Sequence, residues 1–301
     1  MEQLIQILFL ALLQGVTELF PVSSLGHTVI LPALFGWGNL ITAESFLPIV
    51  VTLHLGTGVA LLAFFWRDWL TLLRALFKTI AGRSLEADPQ GKTIWLVIVG
   101  TIPVGILGLL LEKPLQQIFF SAPWPFLPAA FLCLNGMILY IGERLRQRAE
   151  PAALDRRKQE ATFKRLEQLS FGQAVVVGLV QATALLPGIS RSGITMVAGL
   201  RVGLSHEDAA RFAFLLATPV ILAAGLLETP KLLHYDRTTQ VEALVGGVVA
   251  GIAAYLSTRF LVRYFQVGRL TPFAFYCLAA GFISFCFFAP LSLYNVSHLP
   301  W

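Results

Sequence analysis

A chain of 301 residues that is 56% hydrophobic and 13% charged carries about half the charge of a soluble domain, for which about 25% is usual. That composition, with a mean hydropathy of +0.73, excludes an ordinary soluble globule and reads as a polytopic membrane protein. The net charge of +5 does not point to nucleic acid, because the basic residues sit between apolar runs, where they set orientation.

Residues 4–36 are apolar but broken by Pro21-Val22-Ser23-Ser24-Leu25-Gly26-His27, and each flank is short for a full crossing. The reading is a re-entrant pair of half-helices, with Gln14 and Glu18 on one helical face just before the break. A polar cluster from Gln14 to His27 and the absence of a basic n-region argue against a cleaved signal peptide. Continuous spans are expected at 46–66, 93–111 and 123–142. The polar stretch 144–170 follows as a solvated linker with eight basic residues. A second broken segment covers 171–203, and spans are expected at 210–228, 241–262 and 272–290. Cys133, Cys277 and Cys286 all lie in apolar runs without ligand or disulfide spacing, so they read as small core residues.

The two broken segments are related by a constant offset. A shift of 167 aligns Gln14 with Gln181, Ser23 with Ser190, Gly26 with Gly193 and Thr28 with Thr195. A shift of 146 aligns Val99-Gly100 with Val245-Gly246 and Gly105-Ile106 with Gly251-Ile252. A constant offset through a polar motif indicates an internal repeat, residues 1–143 and 171–301. Of the 22 Lys and Arg residues, 18 lie in 67–92, 144–170, 201–211 and 258–270 and define the cytoplasmic side. Each repeat then holds one re-entrant pair and three crossings. An odd number of crossings makes the second repeat inverted, with both termini outside. The expected fold is therefore an all-α polytopic membrane protein of two inverted repeats, whose re-entrant tips meet within the membrane.

The second tip, Leu186-Pro187-Gly188-Ile189-Ser190-Arg191-Ser192-Gly193-Ile194-Thr195, places a guanidinium at membrane depth. That costs roughly 2.5–3.5 kcal/mol even on insertion scales and demands an anionic partner. Free N–H groups of a restarting helix, hydroxyls and a fork-shaped cation describe a phosphate cradle; a structural ion pair between helices is the competing reading. Pooled, Glu18, Ser23, Ser24, His27 and Thr28 with Ser190, Arg191, Ser192, Gly193 and Thr195 form a set suited to phosphoryl transfer. Serine, histidine or water can attack phosphorus, and His27, three residues after Ser24, is placed to take its proton. Glu18 can orient His27, act as a base or bind a divalent ion. Each member also has a plainer reading: Ser23, Ser24 and Thr28 as helix caps, Gln14 as an interhelical hydrogen bonder, His27 as a satisfied core histidine. His54 in Leu53-His54-Leu55-Gly56 either faces the site or packs.

At these residues the sequence resembles the undecaprenyl-diphosphate phosphatase family, the integral-membrane bacitracin-resistance phosphatases. The resemblance runs from Leu12 to about residue 282. It is carried by Gln14-Gly15-Val16-Thr17-Glu18, Pro21-Val22-Ser23-Ser24-x-Gly26-His27, Pro187 to Thr195, and Arg211-Phe212-Ala213-Phe214-Leu215-Leu216-Ala217. It implies a multi-pass inner-membrane hydrolase that converts undecaprenyl diphosphate to undecaprenyl phosphate and inorganic phosphate. Such an enzyme recycles the lipid carrier for peptidoglycan, cell-wall building and cell shape, and confers antibiotic resistance. It also implies a divalent cation (Mg or Ca), a site reached from the periplasm, and Glu18, Ser24, His27 and Arg191 as catalytic residues. Glu18 and Gln14 are the metal candidates, although Gln14 replaces a frequent glutamate and Leu25 a frequent threonine. Expected partners are the lipid substrate, the bilayer and a second copy in a homodimer. The alternative class is a transporter or flippase of a lipid-linked phosphate.

Overall fold

The computed structural model describes residues 2–37, 46–82, 84–85, 88–116, 118, 125–149 and 163–297. Within them the chain is helical: α1 (Glu2–Thr17), α2 (Ser24–Leu34), α3 (Phe46–Phe64), α4 (Trp66–Ile80), α5 (Pro89–Gln116), α6 (Phe126–Ala149), α7 (Phe171–Gln181), α8 (Arg191–Arg201), α9 (His206–Glu228), α10 (Arg237–Tyr264) and α11 (Thr271–Ser297). An isolated bridge between Lys164 and Leu204 is the sole β-pairing among the described residues. Among the described residues six helices are long and apolar enough to cross a bilayer, at Phe46–Phe64, Pro89–Leu111, Phe126–Arg148, His206–His234, Arg237–Tyr264 and Thr271–Pro290. They match the six expected spans, and the short pairs α1/α2 and α7/α8 occupy the two broken segments.

Two differences have simple causes. The stretch 67–92, read as a loop from its basic residues, contains α4. Its exposed Trp66, Leu70, Leu73, Phe77 and Ile80 recur at three- and four-residue steps, while Leu72 and Ala75 are buried on the opposite face. Helix α6 also runs to Ala149, past the expected end at 142, because the polar residues 143–149 continue it with Arg146 and Arg148 in the last turn, where cations suit the helix dipole. Most of the expected linker, 150–162, lies outside the described residues.

Between apolar helices in lipid, association rests on close packing and polar contacts. Helix α3 therefore meets α10 at Gly56, where any Cβ would strike the Gly247 backbone, and α6 meets α11 at Gly136, where a Cβ would lie 2.8 Å from the Ala274 carbonyl. The largest buried side chains, among them Phe212, Phe214 and Phe265, gather around α9, which runs through the centre. One end of the bundle is locked by charge. Arg211 pairs with Asp68 of α4. The buried Glu143 accepts from His206 Nε2 at 2.8 Å and from the Leu270 backbone N–H at 3.2 Å.

Candidate active site

Both breaks are built the same way. Ser23 caps α2 by accepting from the Gly26 N–H at 3.3 Å, and Ser190 caps α8 by accepting from the Gly193 N–H at 3.2 Å. The two tips touch. The Gly188 N–H donates to Ser23 Oγ at 3.1 Å, and Ser192 Oγ donates to the Phe20 carbonyl at 3.0 Å. A Cβ on Gly26 would lie 2.9 Å from Gly188 Cα, so only glycine permits this approach. Gly188 has φ +108°, open to glycine. Ser23 holds φ +66° without that freedom, a strain of about 1–3 kcal/mol kept at the tip by its bonds to both segments.

Asn135 of α6, fully buried, joins the tips from behind. Its Nδ2 donates to the Pro21 carbonyl at 3.1 Å, and its Oδ1 accepts from the Ser190 N–H at 3.0 Å. Nothing in the sequence singled out this residue: a lone asparagine in an apolar span is its whole signal, and intramembrane polar groups of that kind seek partners across helices.

Glu18, one residue past α1, is the hub. Its Oε1 accepts from Arg191 Nη2. Its Oε2 accepts from Gln14 Nε2 at 2.8 Å and from Ser24 Oγ at 2.5 Å, and lies 3.3 Å from His54 Nε2. Arg191 also donates Nη1–H to the Ala217 carbonyl at 3.1 Å, so two of its five N–H donors are committed. A cavity of 450 Å³ opens onto this cluster and is lined by Glu18, Ser23, Ser24, Leu25, His54, Ser190 and Arg191 at its polar end. The remaining walls are almost wholly apolar, from Val50, Val51, Val104, Ile189, Pro219, Val220 and their neighbours. Gly105 and Gly108 of α5 also line it, and a Cβ on Gly105 would meet no atom within 4 Å.

The other expected site residues lie outside that lining. Thr28 bonds the Leu25 carbonyl at 3.0 Å, and Thr195 bonds Gln181 Oε1 at 3.3 Å, both as buried helix-packing groups. Ser192 holds the tip–tip contact through the Phe20 carbonyl, while the Gly193 N–H is spent on the Ser190 cap within its own tip. His27 does not reach Ser24. Its Nδ1 bonds the Ser23 carbonyl at 2.6 Å, and its Nε2 bonds the Tyr276 hydroxyl at 2.8 Å with the two rings stacked. A carbonyl only accepts, so Nδ1 carries the hydrogen and Nε2 takes the tyrosine O–H. Ser24 is instead paired with Glu18, a change from the expected Ser24–His27 pair that follows from the histidine bonding back one helical turn.

The tips offer few ligands for a resident metal. Glu18 is the one carboxylate at the tips and both of its oxygens are occupied by donors, while the unpartnered Gln14 Oε1 is a neutral amide oxygen. Among the described residues no three His, Cys, Asp or Glu side chains cluster as ligands.

The family model described as bacitracin resistance protein BacA matches residues 7–283. The chain is 50% identical over 283 residues to the undecaprenyl-diphosphatase of Mycolicibacterium paratuberculosis, covering 89% of this chain and 92% of the relative. It is 49% identical over 277 residues to undecaprenyl-diphosphatase 2 of Burkholderia ambifaria, covering 91% and 93%. Undecaprenyl-diphosphatase 2 of Frankia alni is 45% identical over 326 residues, covering 90% and 94%. A match to nearly the whole length, through both tips, places this chain in the BacA family.

Proposed function

We propose that the protein is an integral-membrane phosphatase that hydrolyses undecaprenyl diphosphate to undecaprenyl phosphate and inorganic phosphate. The observation that carries this reading is the continuity of one cavity. Its floor offers Arg191, Ser24 and Glu18, and its apolar walls suit a prenyl chain beside the diphosphate. Its volume falls within the ordinary small-ligand range of about 300–1,000 Å³, so only the first part of a long prenyl chain fits and the rest continues into lipid. The open space at Gly105 leaves room for that chain where a side chain would stand.

The geometry supports a division of labour. Arg191 swings its uncommitted N–H donors onto the terminal phosphate, and the N-terminus of α8 adds its dipole. Ser24 Oγ attacks the terminal phosphorus while its proton passes to Glu18 Oε2, with which it is already hydrogen-bonded. The bond from phosphorus to the lipid-phosphate oxygen breaks and Glu18 passes the proton to that departing oxygen. Water then attacks the phosphorus on Ser24, giving a proton to Glu18, the P–Oγ bond breaks, and Glu18 returns the proton to Ser24 Oγ. His27 acts at one remove, holding the Ser23 carbonyl and so the strained tip. In this reading a divalent ion (Mg or Ca) would come as a counter-ion of the diphosphate and supply charge neutralisation there, since both Glu18 oxygens already accept hydrogen bonds.

The inverted repeat belongs to the same proposal, with units 1–143 and 171–301 and the re-entrant pairs at their starts. Supporting it, α1 packs on α10 where α7 packs on α5, and α3 packs on α10 where α9 packs on α5. Ser23 and Ser190, equivalent by the 167 offset, cap equivalent helices. We assign the site to the periplasmic face of a bacterial inner membrane. The cavity wall extends to Leu115 and Glu228, at the ends of α5 and α9 away from Arg211 and the basic loops. In a variant lacking Cys133, Cys277 and Cys286, single cysteines placed in 144–170 should resist an impermeant thiol reagent in intact cells. Ready labelling there reverses the orientation.

The function is tested with purified protein in detergent, where no membrane remains to be crossed. Phosphate release from undecaprenyl diphosphate, with divalent ions supplied, is the expected result. Binding of the substrate without phosphate release would leave lipid translocation as the activity. Carrier recycling, cell-wall supply and bacitracin resistance follow from the reaction: cells lacking other such phosphatases should regain bacitracin tolerance with this protein.

A further inference from the structure

His54 stands alone on its helix. Helix α3 contains no other ionisable side chain, yet it carries this imidazole in the middle of an apolar span. The ring is held at both ends. Nδ1 lies 2.8 Å from the Val50 carbonyl one turn back, and Nε2 lies 3.3 Å from Glu18 Oε2 while the ring edge lines the cavity. A carbonyl and a carboxylate both accept, so the ring donates on each side. It is a strut from the backbone of α3 to one chosen oxygen of Glu18.

That oxygen is the one that takes Ser24 Oγ. The other oxygen, Oε1, is held by Arg191. A bound diphosphate competes for Arg191, because a phosphate accepts the same forked donors. As Arg191 shares its donors between Glu18 and phosphate, its hold on Oε1 weakens, and Glu18 sits past the end of α1 with only Gln14 from its own helix to orient it. A carboxylate free to rotate no longer presents Oε2 to Ser24. We propose that His54 is a positioning residue for the Glu18–Ser24 pair, keeping Oε2 aimed at Ser24 Oγ while Arg191 is shared with the substrate. The proposal rests on the phosphatase reading and adds a residue on a third element to it.

The test compares His54→Leu with His54→Gln in the purified full-length protein, using phosphate release from a prenyl diphosphate and thermal stability in detergent. Leucine removes the donor. It should lower kcat by about 10- to 100-fold, the range found when a group that orients a reacting ligand is lost, with KM within about three-fold. Glutamine can donate an amide N–H to Glu18 and should restore kcat to within about five-fold of wild type. His54→Met, which also lacks a donor, provides the same comparison if leucine unfolds the protein. A folded leucine or methionine variant within two-fold of wild type overturns the proposal. So does a loss carried by KM alone, or a folded glutamine variant as poor as leucine. Absence of phosphate release by wild-type protein is a different failure: it removes the phosphatase reading itself.

Discussion

Arg191→Lys should lower phosphate release by about 100-fold or more even though it preserves the charge. The reason is geometric. Arg191 holds Ala217 and Glu18 with two donors and keeps three for a phosphate facing the cavity, whereas lysine has three donors on one nitrogen and cannot span those partners. Arg191→Ala should lose at least as much, by about 10³-fold, the lower range for a cation that stabilises a phosphoryl-transfer transition state. The competing account is a structural ion pair, because Glu18 and Arg191 join the two tips directly. Removing one partner of such a pair destabilises by about 3–5 kcal/mol, so alanine alone does not separate the accounts. Lysine does. A folded Arg191→Lys protein with near-normal turnover would make the arginine a tie between segments and nothing more. The paired change Glu18→Gln with Arg191→Gln supplies the converse, since it removes both charges: recovered thermal stability with no recovered turnover is the expected outcome.

Much of this architecture is legible in the sequence because lipid imposes strong rules. Spans of some 20 apolar residues, a polar break inside each short segment and a repeat offset through Ser23 and Ser190 are one-dimensional signals. Helix α4 carries an equally readable signal in its Trp66, Leu70, Leu73 and Phe77 stripe, which is hidden when its arginines are counted only for orientation. The site is less legible in detail. Sequence proximity puts His27 beside Ser24, but a helical side chain most readily bonds the carbonyl four residues back, and that carbonyl belongs to Ser23. Thr28 and Thr195 likewise spend their hydroxyls on packing partners. The partners that matter most to the tips, Asn135, His54 and Tyr276, come from helices distant in sequence, and one polar residue in an apolar span does not say which neighbour it meets.

Ser24 and Glu18 should behave as one unit. Ser24→Ala removes the attacking hydroxyl and Glu18→Gln removes its proton acceptor, so each should lower kcat by about 10³-fold or more, and the double variant should be little worse than either single one. Two independent groups would multiply their losses instead. The glutamine leaves Arg191 without its carboxylate, so a binding measurement must accompany turnover. A prenyl diphosphate whose bridging oxygen is replaced by methylene should bind Ser24→Ala about as tightly as wild type, since Arg191 and α8 are untouched. Were Ser24 only a cap, its loss would cost about 1 kcal/mol of stability and spare turnover. Its Oγ, however, bonds Glu18, and the N-cap of α2 is Ser23. Were water the nucleophile, Glu18→Gln would be crippling and Ser24→Ala mild. Were His27 the base, Glu18→Gln would retain much of kcat while His27 variants lost it, a result the present geometry opposes because both ring nitrogens of His27 are engaged with Ser23 and Tyr276. Acid-quenched wild-type protein provides the direct signature: phosphate from the terminal position of the substrate should be recovered on Ser24 and on no other residue.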